Sequence, residues 1–361
     1  MVARKLNITV LYEAQPQPKK AIVKESGKDE VYQQISEGLQ KLGYSVKLLG
    51  ADRDISSLIT KLQKDESDLI FNVCEGIDGN NRFEPAIAAL LDLLGKAYTG
   101  SNSTGLILGQ DKALSKKLYA FHGLNYPKFS TIEAGQVEWA DNLKFPLFVK
   151  PLGEDASVGI DGKAIVRNIK ELMERISFIH TEIGSAALIE EFIDGREIYV
   201  GVLGNEKPEA LPIVEWDFSQ LPKGVPHIAT EEAKWNEDSE AFKAPERIVD
   251  DIPEPIYSEI QKAAVVAFKA LKLRDYARID MRLRSPAKDT IEKGSHRNKR
   301  ADAEEKKDLK DWAFFLIEVN PNCLLDKKAE LALSAKHKGL GYPQLLDQIV
   351  KSALKRYNVI I

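Results

Sequence analysis

Four side chains on two short stretches have the types and spacing for metal chemistry. Glu318 and Asn320 stand two apart in Phe-Phe-Leu-Ile-Glu-Val-Asn-Pro-Asn at 314–322. The apolar run reads as a buried strand that Pro321 ends, so the two polar side chains leave one face. Phe315, Ile317 and Val319 are expected to pack behind them. A carboxylate and a carboxamide held rigidly together suit Mg²⁺, which takes few protein oxygens and keeps phosphates and waters. Upstream, in Tyr-Ala-Arg-Ile-Asp-Met-Arg-Leu at 276–283, Arg278, Asp280 and Arg282 alternate with apolar residues. Pairing the two strands sets Asp280 beside Glu318, and Arg278 beside whatever the metal holds. Either strand alone is equally well a half-exposed hairpin with solvated charges; the two together, with the lysines below, favour the metal reading.

Lys112 leads a helical pattern, and Lys150 ends the strand Phe-Pro-Leu-Phe-Val-Lys-Pro at 145–151. A small-residue turn at 153–159 follows, whose backbone N–H groups can face an anion while the lysines supply charge. The turn matches neither a P-loop nor the dinucleotide fingerprint, and a lone strand-end lysine is ordinarily solvated. The strand at 187–193 offers a carboxylate, an aromatic ring and a backbone edge, which an adenine needs, and Glu197 is placed for ribose hydroxyls. In isolation, Glu190 and Glu191 read as an exposed strand face.

Strands expected at 6–12, 45–49 and 68–74 alternate with helices at 29–42 and 56–63. That alternation implies a parallel sheet with helices on its faces and ligands at the strand carboxyl ends, near Glu13 and Glu75. A composition change at 104–110 marks a domain boundary. The unpatterned, charged stretch 227–241 reads as a lid. Between 286 and 311 lies an insert read as a solvated surface hairpin, since 15 of the 24 residues from 288 to 311 are charged. The 361 residues suggest two or three domains, and a net charge of −4 with 29% charged residues gives no general pull toward nucleic acid or membrane. No apolar run is long enough to span a bilayer, no signal peptide is apparent, and two cysteines are too few for a disulfide framework, so the chain reads as cytoplasmic. The five histidines lack zinc-like spacing.

Seven motifs in order then resemble the ATP-grasp ligases: Asp-Lys at 111–112, Phe-Val-Lys-Pro at 148–151, the Gly/Ser turn, Glu-Glu-Phe-Ile at 190–193, Ala-Lys-Trp at 233–235, Arg-Ile-Asp at 278–280 and Glu-Val-Asn-Pro at 318–321. Leu-Gly-Lys-Ala-Tyr-Thr-Gly-Ser at 94–101 narrows the resemblance to the D-alanine–D-alanine ligase branch, over residues 6–354 apart from the insert. The resemblance implies an α/β ATP-grasp fold: an N-terminal parallel-sheet domain (1–108), a central domain (109–193) and a C-terminal domain (194–361) that clamps ATP with the central one. It implies that Lys112, Lys150 and Ser157 face the ATP phosphates, that Lys234 approaches the γ-phosphate from the lid, that Glu190, Phe192 and Ile193 line the adenine site and that Glu197 holds the ribose. Asp280, Glu318 and Asn320 would bind two Mg²⁺, with Mn²⁺ as a substitute, and Arg278 would stabilise the anionic intermediate. The implied reaction forms an acylphosphate from a small-molecule carboxylate, which an amine then attacks. A homodimer is expected from the resemblance alone.

The departures cluster in the amino-acid half. Ala156 stands where the family has a serine, Trp235 where it has a lid tyrosine, and Glu75-Gly76 where it has His-Gly. The small segment that grips the acceptor's carboxylate is replaced by Pro-Asn-Cys-Leu-Leu-Asp-Lys-Lys at 321–328. Glu13 and Glu25 are the nearest matches to the carboxylate that anchors the first substrate's amine. These changes imply an amide-forming ligase with an altered substrate pocket. The rivals are a genuine D-alanine–D-alanine ligase of cell-wall synthesis, an ATP-binding protein without turnover, and a kinase that stops after phosphoryl transfer. Cys323 reads as packing, since an acylphosphate route needs no thiol.

Overall fold

The computed structural model describes residues 5–14, 30–136, 142–153, 159–221, 228–230, 233, 236, 239–286, 309 and 311–359. Seven of the fifteen residues of the expected lid, 227–241, and nearly all of the charged insert lie outside the described residues.

The first sheet is parallel, in the order β2-β1-β3, with β1 Asn7–Glu13, β2 Ser45–Ala51 and β3 Leu69–Val73. Helices α1 (Val31–Lys41) and α2 (Ile55–Gln63) lie between these strands in sequence, and α3 (Glu84–Leu93) follows. The period of two sorts the side chains. Ile8, Val10 and Phe71 join one core cluster, while Leu11 and Ile70 join another with Leu58, Leu62 and Leu91. This two-sided burial explains why the strands read as near-continuous apolar runs.

The 104–110 stretch, expected as a boundary, is the helix α4 (Ser103–Gln110). It packs on the strand that carries Glu318: a Cβ at Gly109 would collide with the Pro321 ring. Asp111 then caps α5 (Lys112–Phe121), its Oδ1 accepting the backbone N–H groups of Ala113 and Leu114.

The second sheet is antiparallel, order β4-β7-β5-β6, from β4 Phe129–Ile132, β5 Leu147–Pro151, β6 Ile165–Val166 and β7 Ala187–Glu191, with α6 (Ile169–Phe178) against it. The 187–193 strand therefore offers no free backbone edge as expected, because both sides of β7 are paired. Only the residues past Glu191 are unstranded.

The third sheet is antiparallel, order β11-β10-β8-β12-β13, with β9 (Glu209–Ala210) also on β8. Its strands are β8 Arg196–Leu203, β10 Val214–Trp216, β11 Glu246–Ile248, β12 Tyr276–Arg284 and β13 Ala313–Pro321. Helix α7 (Glu254–Ala270) covers it with Ile260, Ala264, Ala267 and Phe268. The last helices are α8 (Glu330–His337) and α9 (Tyr342–Arg356). Helix α9 leaves the third sheet and packs Ile349 and Val350 against Ile8 and Val10 of the first.

One correction concerns β13. A bulge falls at Ile317: Asp280 pairs with Glu318, but Met281 pairs with Leu316. Leu316 and Val319 are buried in the core and Phe314 packs against it, whereas Phe315 and Ile317 are only half-buried. The expected core face of 315, 317 and 319 is thus broken by one inserted residue, as a bulge requires. No described helix is long and apolar enough to cross a membrane.

Candidate active site

The cleft lies between the second and third sheets. Lys150, Glu190, Phe192, Ile193, Glu197, Asp280 and Glu318 all line it, with Ile317 and Arg282. The β12–β13 register fixes its floor: Asp280 pairs with Glu318 and Arg278 with Asn320. Asn320 Nδ2 donates to Asp280 Oδ2 at 2.9 Å. Arg278 donates to both Asp280 oxygens, at 2.7 and 2.9 Å, and to Glu330 Oε2 at 3.0 Å. Its guanidinium also lies over the Tyr199 ring, 5.0 Å from the centroid. Burial disfavours the charge on Arg278, but Asp280 and Glu330 outweigh it and hold its pKa well above the ordinary value.

The lysines come from α5 and β5. Lys112 Nζ is 3.4 Å from Glu318 Oε1, and Lys150 Nζ is 3.0 Å from Glu190 Oε2. A third, Lys116, is fully buried behind them, with Nζ 2.8 Å from Glu190 Oε1 and 2.8 Å from the Ile317 carbonyl. Burial pushes the Glu190 carboxyl up, yet Lys116 and Lys150 more than offset this and hold it below its ordinary value. Burial pushes Lys116 down, opposed by Glu190. A carboxylate between two ammonium groups is the arrangement a buried charge needs. Lys116 escaped the sequence reading, although it lies four residues after Lys112 and so shares its helix face.

Glu190 therefore turns its carboxylate to lysines; the exposed strand face considered for it is wrong, because it is 2% exposed. Glu197 accepts from Tyr199 Oη at 3.1 Å and pairs with Arg282 at 3.2 Å. Arg282 also donates to the carbonyls of Ile193 and Gly195, at 3.1 and 2.6 Å, which ties the segment after β7 to β12. Glu25, Ala156, Ser157, Lys234 and Trp235 lie outside the described residues.

Two further cavities follow, the first sharing Asp280 and Glu318 with the cleft and the second adjoining the first. One, of about 500 Å³, is lined by Arg278, Asn320, Glu330, Glu246, Trp216 and Lys328 among others. The second, of about 570 Å³, is lined by Tyr12, Glu13, Tyr32, Glu75 and Glu84 among others. Glu75, Glu84, Asn322 and Cys323 line both. Glu13 and Glu75, matched from sequence, thus meet; desolvation and the Glu13 charge both raise the Glu75 carboxyl. Tyr12 and Tyr32 stack there, centroids 3.8 Å apart. Glu246 and Glu330, also missed, sit on a three-residue strand and at a helix start that the sequence pattern did not reveal. Burial, then the Glu330 charge, raises the Glu246 carboxyl to about 8, with Arg278 opposing. Its Oε2 is buried without a hydrogen-bond partner among the described residues. Cys74 and Cys323 are free and buried, and burial pushes both thiols up to about 12, which disfavours a thiolate nucleophile.

Asp280, Glu318 and Asn320 supply two carboxylates and a carboxamide on one face, hard oxygen donors that fit Mg²⁺. Among the described residues no group of three or more His, Cys, Asp or Glu could hold a metal by itself. A small protein donor set completed by phosphate oxygens and water is what Mg²⁺ ordinarily takes.

The family model for the D-ala D-ala ligase C-terminus matches residues 118–292. The uncharacterized protein y4sG of Sinorhizobium fredii is 31% identical over 324 residues, covering 88% of this chain and 86% of that one. A D-alanine–D-alanine ligase of Aquifex aeolicus is 27% identical over 317 residues, covering 88% and 92%. The crystal structure of D-alanine–D-alanine ligase from Bacillus anthracis complexed with ATP superposes with a TM-score of 0.67 at 23% identity, over 98% of this chain and 99% of that one. The fold is the ATP-grasp fold.

Proposed function

The chain is a divergent member of the D-alanine–D-alanine ligase family, an ATP-dependent ligase that forms carbon–nitrogen bonds, and on that premise we propose that it joins amino-acid-like substrates larger than alanine. The observation that carries the ligase reading is the meeting of Lys112 with Glu318. A helix-borne ammonium 3.4 Å from a carboxylate of the metal face brings phosphate-binding and metal-binding groups to one point. Three domains, 1–108, 109–193 and 194–361, fit this reading, since each range contains one sheet.

In this reading Lys112, Lys150 and Ser157 hold the phosphates, and Lys234 joins them from the lid. Phe192 and Ile193 flank the adenine, and Glu197 takes the ribose. Asp280, Glu318 and Asn320 hold Mg²⁺. We assign Glu190 to setting Lys150 rather than to the adenine, because both its oxygens face lysines. Bound ATP with Mg²⁺ supplies a phosphoryl group whose charge is neutralised for transfer. A substrate carboxylate oxygen takes that group, an amine attacks the acyl carbon, and phosphate leaves. Arg278, fixed by Asp280 and Glu330, faces the cavity where the oxyanion would develop, and a preorganised cation acts most strongly there.

Support for a larger substrate comes from the cavities. Tyr12 and Tyr32 give one cavity a stacked aromatic wall, and Glu13, Glu75 and Glu84 suit a cationic group. Ala156 and Trp235 remove polar groups that would orient a small zwitterion. The test is an ADP-release screen over pairs of amino acids and small carboxylates. Release that requires both a carboxylate and an amine supports ligation. ATP binding without turnover would leave a binding protein, and release independent of the amine would leave a kinase.

A further inference from the structure

We propose that Lys116 is a positioning residue that keeps Lys150 charged toward the phosphates and fixes the backbone beside Glu318. The inference rests on the nucleotide site proposed above. Lys116 comes from α5, Glu190 from β7, Lys150 from β5 and Ile317 from β13, so one buried ammonium joins three elements. It is 0% exposed, whereas Glu190 and Lys150 line the cleft in front of it.

Glu190 Oε1 lies 2.8 Å from Lys116 Nζ, an ion pair without hydrogen-bond geometry, and Oε2 lies 3.0 Å from Lys150 Nζ. Two ammonium groups against one carboxylate leave one positive charge at the cleft. Without Lys116, Glu190 would hold an uncompensated oxygen in the interior, which is costly. Its remaining cation is Lys150, so the carboxylate would draw Lys150 in and neutralise it. The same ammonium donates to the Ile317 carbonyl at 2.8 Å, at the bulge residue directly before Glu318. A bulge re-aims the side chains beside it, and Lys116 supplies the donor that holds this one.

The test compares binding of the imido analogue of ATP, with Mg²⁺, against binding of adenosine, by calorimetry on the full chain. In Lys116→Met the analogue should bind about ten-fold more weakly while adenosine is unchanged, the loss of one oriented charge at a phosphate. A merely structural role would weaken both alike. Lys116→Gln keeps a donor and serves if the methionine variant does not fold. Lys116→Met with Glu190→Gln neutralises the whole pair, and should return the analogue-to-adenosine ratio to within about three-fold of wild type, since Lys150 is released. An unchanged ratio in a folded single variant, equal loss of both ligands, or a double variant no better than the single would overturn the inference. A wild-type protein that binds no analogue would overturn the nucleotide site itself, and this inference with it.

Discussion

Asp280 stands directly opposite Glu318 across the β12–β13 pair, and the register slips immediately after it. Like charges so placed destabilise a sheet. Here each has its own cation, Arg278 on Asp280 and Lys112 on Glu318. Each carboxylate thus has a counter-charge on the face that would hold a divalent ion.

The two carboxylates should therefore respond differently to neutralisation. Asp280→Asn and Glu318→Gln should each lower ADP release at least about a hundred-fold, because a neutral amide binds Mg²⁺ far less well. Asp280 is also the buried partner of Arg278, so Asp280→Asn should cost roughly 1–3 kcal/mol of stability. Glu318 is more exposed, and Glu318→Gln should melt close to wild type. Activity assays with denaturant melts check both halves. Wild-type turnover in either variant would remove it from the metal site.

Glu246 gives a pH dependence. Its carboxyl is raised from 4.5 in the reference state to about 8 by burial and by Glu330. The folded protein thus binds the proton more tightly than the unfolded chain. The associated stability is present below about pH 4.5 and is lost as the pH rises through about 8. Glu246→Gln should match wild type in thermal melts near pH 5 and melt higher near pH 9. Equal melting temperatures at both pH values would show that Glu246 is not held in its neutral form.

Deleting residues 287–308 and closing the β12–β13 connection with a short turn should leave stability within about 0.5 kcal/mol. Activity should also persist. The deletion stops short of Leu309 and Trp312, because both pack partly buried against the third-sheet core. Extending it through 311 should destabilise. Loss of turnover in the shorter deletion would mean that the insert covers the site.

Reversing the sequence departures should move specificity. Ala156→Ser with Trp235→Tyr restores two polar groups, and should raise kcat/KM for D-alanine relative to larger amino acids by about ten-fold, roughly 1.4 kcal/mol. The shift should be incomplete, since 321–328 also differs. Should the unaltered enzyme prefer a pair of D-alanines over every larger substrate, the altered-pocket reading fails.

The pairing of Asp280 with Glu318 was legible because period-two alternation in 276–283 and 314–322 carries its own register. The bulge was not, since one inserted residue leaves the apolar run at 314–317 looking like a continuous strand. β10 and β11 have three residues each, too few for any periodicity, which hid Glu246. Helix α4 was hidden by its own role: Gly105 and Gly109 weaken helical propensity, yet Gly109 lets Pro321 approach. Lys116 was passed over because a lysine in a helix is ordinarily solvated. Only the fold shows that its face turns inward onto Glu190.

The most direct measurement of the account follows an oxygen atom. With the best carboxylate and amine from the screen, the carboxylate is labelled with ¹⁸O and the released phosphate is analysed by mass spectrometry. If a carboxylate oxygen attacks the γ-phosphorus and the amine then displaces phosphate, one labelled oxygen must leave in each phosphate formed, and only when the amine is present. Unlabelled phosphate, or labelled phosphate released at the same rate without amine, would contradict ligation through an acylphosphate.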